Sequence, residues 1–265
     1  MNQNVKGFGA RGWILMIYQF LAYIAMVVFT NWPMNALGSY YDPVNGTQGV
    51  AKIYTMAAVV GVVLQVLVSP FIGKIKSIYR LSIVMGILSI VACFGVMMCT
   101  PGTLWNVSYF FACLLVIIWA TFIIGILIGQ WFPRRKGTVM GVVTIAFPVG
   151  NALMGIFLGE AIGMSIGMAA QGAPLEVMIG ALGPIVRKAF MPFFILVVVG
   201  VVLAILLLKD FPELVGGYRD NDKSITPEVA KAMMEFEVEN RKTSVWTLGH
   251  TLACPDFWLI AIPMG

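Results

Sequence analysis

The chain has 265 residues, 60% of them hydrophobic and only 11% charged, with a mean hydropathy of +0.91. A soluble domain of this length needs far more charged surface, so the composition predicts an all-α polytopic membrane protein whose core is the bilayer itself. The net charge of +5 does not point to nucleic acid, because the cations lie in short runs at the ends of apolar segments, where membrane proteins encode their orientation.

Lys6 and Arg11 precede an apolar run over 13–37 that is too long for a signal peptide, so it reads as a retained first helix. Gln19, Tyr23, Met26 and Thr30 recur on one face of it. Polar groups at membrane depth must face protein or water rather than lipid. Pro33 is placed to kink the far end, and a polar loop over 38–48 follows. The second helix is expected over 53–72, with Tyr54, Ala58, Gly61, Gln65 and Ser69 forming a small and polar stripe. A basic turn, Gly73 to Arg80, leads to a third helix over 81–99 and, through Thr100-Pro101-Gly102-Thr103, to a fourth over 107–132. Trp119, Ile126 and Gln130 share a face of the fourth helix.

Arg134, Arg135 and Lys136 form the next turn, before a fifth helix over 139–162. Along this helix Gly137, Gly141, Thr144, Pro148, Asn151, Gly155 and Gly159 recur every three or four residues. Such a stripe predicts close packing on a neighbouring helix through Gly137, Gly141, Gly155 and Gly159, with Pro148 and Gly150 as a hinge. The glycine-rich stretch 163–183 is too broken to read as a span and is expected to be a long external loop. The sixth helix is expected over 190–208.

Residues 209–256 change character and carry nine of the twelve acids. Within them Thr226 and Pro227 mark a helix start, for a surface helix over 227–241. Residues 257–265 begin another apolar segment, as a fragment cut inside a seventh span would. Three units are therefore expected: a six-helix bundle over 1–208, a cytoplasmic linker over 209–256, and the start of a second bundle over 257–265. Fourteen of the seventeen Lys and Arg residues fall on one side of this topology, which puts the N-terminus inside, in the plasma (cell inner) membrane. Cys93, Cys99, Cys113 and Cys254 lack metal-type spacing and read as small apolar residues.

Six helices, a charged linker and a seventh helix resemble the N-terminal half of a twelve-helix major facilitator superfamily transporter. Two stretches are similar to the oxalate/formate antiporter and monocarboxylate transporter branch. One is the turn Trp131-Phe132-Pro133-Arg134-Arg135-Lys136-Gly137 with Gly141. The other is the linker Lys209-Asp210-Phe211-Pro212-Glu213-Leu214-Val215-Gly216, with Ser244-Val245-Trp246-Thr247 and Pro255-Asp256-Phe257-Trp258-Leu259. The resemblance implies 3+3 inverted repeats, a partner C-terminal half of the same protein, and substrate cations residing largely in that half. The chain departs from the superfamily pattern at Ser77 and Ile78, where Asp and a basic residue are usual, and at Phe147, where Gly usually precedes the proline.

These features lead to a secondary transporter of a small solute, expected to be a small organic anion such as a mono- or dicarboxylate, with a coupling ion as a further partner. Gln19, Tyr23, Gln65, Trp119 and Asn151 are the candidate substrate-binding residues, against the plainer reading of interhelical packing. The alternatives are a transporter-fold sensor or scaffold, and a carrier of a neutral or cationic solute. A water or solute channel would be expected to show paired Asn-Pro-Ala loops, which the sequence lacks. The sole histidine, His250, has no metal-spaced partners. Neither an enzyme nor a cofactor or metal site is expected.

Overall fold

A computed structural model describes residues 7–46, 48–243 and 248–264, and it is helical, with no strand among the described residues. Six helices are long and apolar enough to cross a bilayer: Ala10–Asn35, Gly49–Lys74, Ile78–Met98, Thr103–Trp131, Lys136–Ala170 and Leu175–Leu207. In hydrocarbon every backbone N–H and C=O must be bonded within the protein, and an uninterrupted helix does this locally. The chain divides into two units, 1–221 and 222–265. Ser244-Val245-Trp246-Thr247, one of the stretches that carried the family resemblance, and Lys6 lie outside the described residues.

In the first unit the first span packs on the fifth and sixth, and the fourth packs on the second and third. The third and sixth spans also meet, as do the first and fourth. Exchanging spans one to three for spans four to six leaves these neighbour relations unchanged. The fifth and sixth pack together as well, without an equal counterpart between the second and third. Over their most apolar windows the first and fourth spans are 67% and 61% buried, against 11% and 28% for the second and fifth. The first and fourth are therefore the central helices.

The stretch 163–183 is a helical hairpin rather than a long loop. The fifth span continues to Ala170, a short turn follows, and the sixth begins at Leu175. Ser165, Met178, Leu182 and Val186 are buried along this hairpin, which also packs on a short helix, Gly38–Asn45. Burial of one face of each arm thus overrides the low helix propensity of the glycines. At 33 residues and ~1.5 Å per residue the sixth helix is far longer than the ~30 Å of hydrocarbon in a bilayer. The other expected helices also lengthen: the first begins at Ala10 and the second at Gly49.

The second unit contains the helix Pro227–Thr243. Thr226 Oγ1 accepts the Val229 N–H at 3.4 Å, capping this helix. The Thr226 hydroxyl also holds the carboxyl of Glu228 below its usual range. The helices Leu248–Ala253 and Pro255–Met264 follow.

Candidate functional site between the first and fourth spans

Both central helices contain a π-helical turn, Val27–Asn31 in the first span and Ile118–Ile123 in the fourth. A π turn widens the helix and turns a carbonyl away from its regular partner, and such turns recur at functional sites. Each turn here presents a carbonyl to the other helix. Tyr109 of the fourth span donates to the Thr30 carbonyl at 2.6 Å, and Gln19 of the first donates through Nε2 to the Ala120 carbonyl, also at 2.6 Å. In both helices the donor lies eleven residues before the acceptor. The two bonds form a reciprocal pair between antiparallel neighbours.

Beside Gln19, Trp119 Nε1 donates to the Tyr18 hydroxyl at 2.9 Å, and Tyr18 donates to the Ser82 carbonyl of the third span at 3.1 Å. Gly86 makes room for this arrangement, because a Cβ there would sit 3.2 Å from the Trp119 ring. Toward the end that carries the helix Gly38–Asn45, the rings of Tyr41, Trp105 and Tyr109 stack at centroid separations of 3.8 and 4.7 Å. This buried column runs from that helix to the Thr30 carbonyl.

The structure brings Gln19, Tyr23 and Trp119 into one buried group. Trp119 is committed to Tyr18 and is only 1% exposed. The Tyr23 ring packs on Phe147 of the fifth span at 4.9 Å. Asn151 is exposed one turn beyond Phe147 and bonds back to its carbonyl at 3.0 Å. Gln65 lies apart from the group, half-buried on the second span.

Where close packing was expected along the fifth span, the structure differs. A Cβ at Gly137, Gly141 or Gly159 would meet nothing within 4 Å, and one at Gly155 would touch only Trp32 at 3.8 Å. Close approach occurs instead at Gly150, where a Cβ would lie 3.1 Å from Ile24 and 3.3 Å from Val27. The fifth span thus has three faces. Val139, Val143, Ala146, Gly150, Met154 and Leu158 are buried, whereas Val142, Ile145, Val149, Leu153 and Ile156 form an exposed aliphatic face. The stripe of Gly137, Gly141, Thr144, Pro148, Asn151, Gly155 and Gly159 is a second exposed face, small and polar.

At the opposite end of the bundle the basic turns gather on the stretch that follows the sixth span. Asp210 accepts Ser77 Oγ at 2.6 Å and the Tyr79 N–H at 2.9 Å, at the start of the third span. A carboxylate therefore stands at the turn that holds Ser77 and Ile78, supplied from a residue 133 positions away. Tyr79 reciprocates by donating to the Ile205 carbonyl at 3.0 Å, and Trp131 Nε1 donates to the Lys209 carbonyl at 3.1 Å. Asp220 accepts the N–H groups of Arg134 and Arg135 at 3.0 and 3.1 Å. Burial raises the Asp220 carboxyl above its usual range, opposed by these two bonds and by both arginine charges. Arg135 in turn donates to the Gly7 carbonyl and lies over the Phe8 ring at 4.3 Å. Gly9 has φ +72°, and a Cβ there would meet Asn221 at 2.8 Å, so this crossing requires glycine.

Sequence reasoning missed Tyr18, Tyr109, Asp210 and Asp220. Tyr18 and Tyr109 resemble any aromatic residue in an apolar run, and no residue pattern announces a π turn. Asp210 and Asp220 lie among many linker charges, where only tertiary contact distinguishes them. No protein-family model, curated protein or solved structure matches this chain.

Proposed function

We propose that this chain is the six-helix half of a secondary active transporter that moves a small solute, a mono- or dicarboxylate in the first instance, by alternating access. The observation that carries the reading is the reciprocal pair between the first and fourth spans, Gln19 to the Ala120 carbonyl and Tyr109 to the Thr30 carbonyl. Together with neighbour relations that survive exchange of the two helix triplets, it supports a 3+3 inverted repeat of the major facilitator kind. Three spans per repeat reverse the direction of each equivalent helix. Transporters built this way bind their solute where the repeats meet, beside irregular helix segments.

The exposed small and polar stripe of the fifth span fits the same reading. Thr144 and Asn151 are unsuited to lipid, so this face meets water or the second bundle of the complete protein. The basic turns cluster at one end, which on the positive-inside rule is cytoplasmic, with the N-terminus beside them.

Uptake of radiolabelled small carboxylates by the complete protein, this half together with its second bundle, in liposomes tests the proposal. Saturable, protein-dependent uptake of at least one is the expected result. Binding without flux would replace the transporter with a sensor, and flux of neutral or cationic solutes alone would remove the carboxylate.

A further inference from the structure

The second span presents its two sides unequally. Its small and polar stripe, Tyr54, Ala58, Gly61 and Gln65, is half-buried or buried, and a Cβ at Gly61 would lie 3.6 Å from Leu114 of the fourth span. The rest of the helix is open: Val62, Val63, Leu64, Val66, Leu67 and Val68 are all exposed. At 3.6 residues per turn these positions fan over roughly 240° of the circumference, whereas contact with a neighbouring element needs an apolar stripe of about 100°. One packing partner therefore leaves much of this surface uncovered. Unlike the open stripe of the fifth span, it holds no exposed polar residue between Met56 and Val68, so it is suited to lipid acyl chains.

At its basic end this surface runs into Phe71, also exposed, and Lys74 Nζ lies over the Phe71 ring at 5.2 Å. The ammonium thus stands where the aliphatic surface stops, as a lysine does at the edge of hydrocarbon. Lys76 and Arg80 belong to the same turn, and Lys209 joins them with its Nζ 5.4 Å from the Tyr79 ring centre. All four cations are exposed, and none forms an ion pair among the described residues. The carboxylate that reaches this turn, Asp210, directs its two oxygens to Ser77 Oγ and the Tyr79 N–H. The turn before the fifth span differs, because Arg135 donates to the Gly7 carbonyl, lies over Phe8 and shares the Asp220 carboxylate with Arg134. We infer that an anionic phospholipid binds at the basic end of the second span. Its phosphate meets Lys74, Lys76 and Arg80, and an acyl chain lies along Val60, Leu64, Leu67 and Phe71, which share one exposed side of the helix below Lys74. Such a site serves a carrier and a sensor alike.

The test uses the complete protein, this half together with its second bundle, in mixed micelles holding equal amounts of phosphatidylglycerol and phosphatidylcholine with the same acyl chains. A cation beside anionic lipid contributes about fivefold to association. Phosphatidylglycerol should therefore be retained at least about tenfold over phosphatidylcholine, as read by mass spectrometry of the bound lipid. Lys74→Gln, Lys76→Gln and Arg80→Gln together should bring that ratio to within about threefold. Lys136→Gln, Lys188→Gln and Lys223→Gln together remove the same charge elsewhere and should leave it unchanged. All six side chains are exposed, so both variants keep the packing of the bundle. Equal retention of the two lipids by the unmodified protein would overturn the inference and leave the second bundle as the cover of this turn. So would a preference that persists in the first triple variant, or one lost equally in the second, which would reduce the site to net charge. Displacement of the bound lipid by an equal concentration of free glycerol phosphate would overturn it too, since the aliphatic surface would then add nothing.

Discussion

The first and fourth spans and the second and fifth are built from similar residues, yet the structure uses them in opposite ways. The central pair is mostly buried and carries both π turns, with the carbonyls that these release bonded across to the other helix. The second and fifth spans lie largely uncovered, and on the fifth two different exposed faces stand side by side. Cohesion and access are thus assigned to different helices. On the central spans Tyr18, Gln19, Tyr109 and Trp119 donate to a neighbouring helix, whereas on the fifth Thr144 and Asn151 are exposed and bond back to their own helix.

The comparison is broken most severely at Gly150, the one glycine of the fifth span in close contact with the first. Gly150→Leu forces a side chain against Ile24 and Val27 and should cost about 3 kcal/mol, read as a large drop in unfolding temperature in detergent. A smaller effect is expected within the central pair. Tyr109→Phe leaves the Thr30 carbonyl without its interhelical donor and should cost about 1 kcal/mol, measurable by the same unfolding experiment. The smallest effect belongs to the uncovered stripe. Gly141→Leu meets nothing in this bundle and should leave its unfolding temperature within about 2 °C, while lowering solute flux if that face lines the pathway. A drop as large as that of Gly150→Leu would show the stripe to be packed.

The comparison also separates what was legible in the sequence from what was not. Charge-free apolar runs, divided by basic turns, a polar loop and the Pro101-Gly102 break, located the six spans, because the cost of burying charge in lipid leaves little freedom. The hairpin over 163–183 was read as a loop because Gly163, Gly167, Gly172, Gly180 and Gly183 weaken the helical signal, and burial of Met178 and Leu182 against tertiary neighbours leaves no mark in the sequence. Gln19 and Tyr23 stood out as polar groups at depth, and the structure places them together. The partner of Gln19 is the backbone carbonyl of Ala120, and a backbone atom leaves no mark in the sequence. The spacing of the glycine stripe was read correctly, but spacing alone does not distinguish a packed face from an open one.

The central claim is that the small and polar face of the fifth span borders an aqueous path and its aliphatic face borders lipid. Single cysteines at Gly141, Asn151 and Gly155, and separately at Val142, Leu153 and Ile156, can be placed in a variant of the complete protein whose native cysteines, including the four of this half, are replaced. Their reaction with a membrane-impermeant thiol reagent in native vesicles tests the claim most directly. The account predicts rapid labelling at the first three positions, slowed by a transported solute, and none at the second three. Equal protection of both sets, or labelling of the aliphatic set alone, would contradict it.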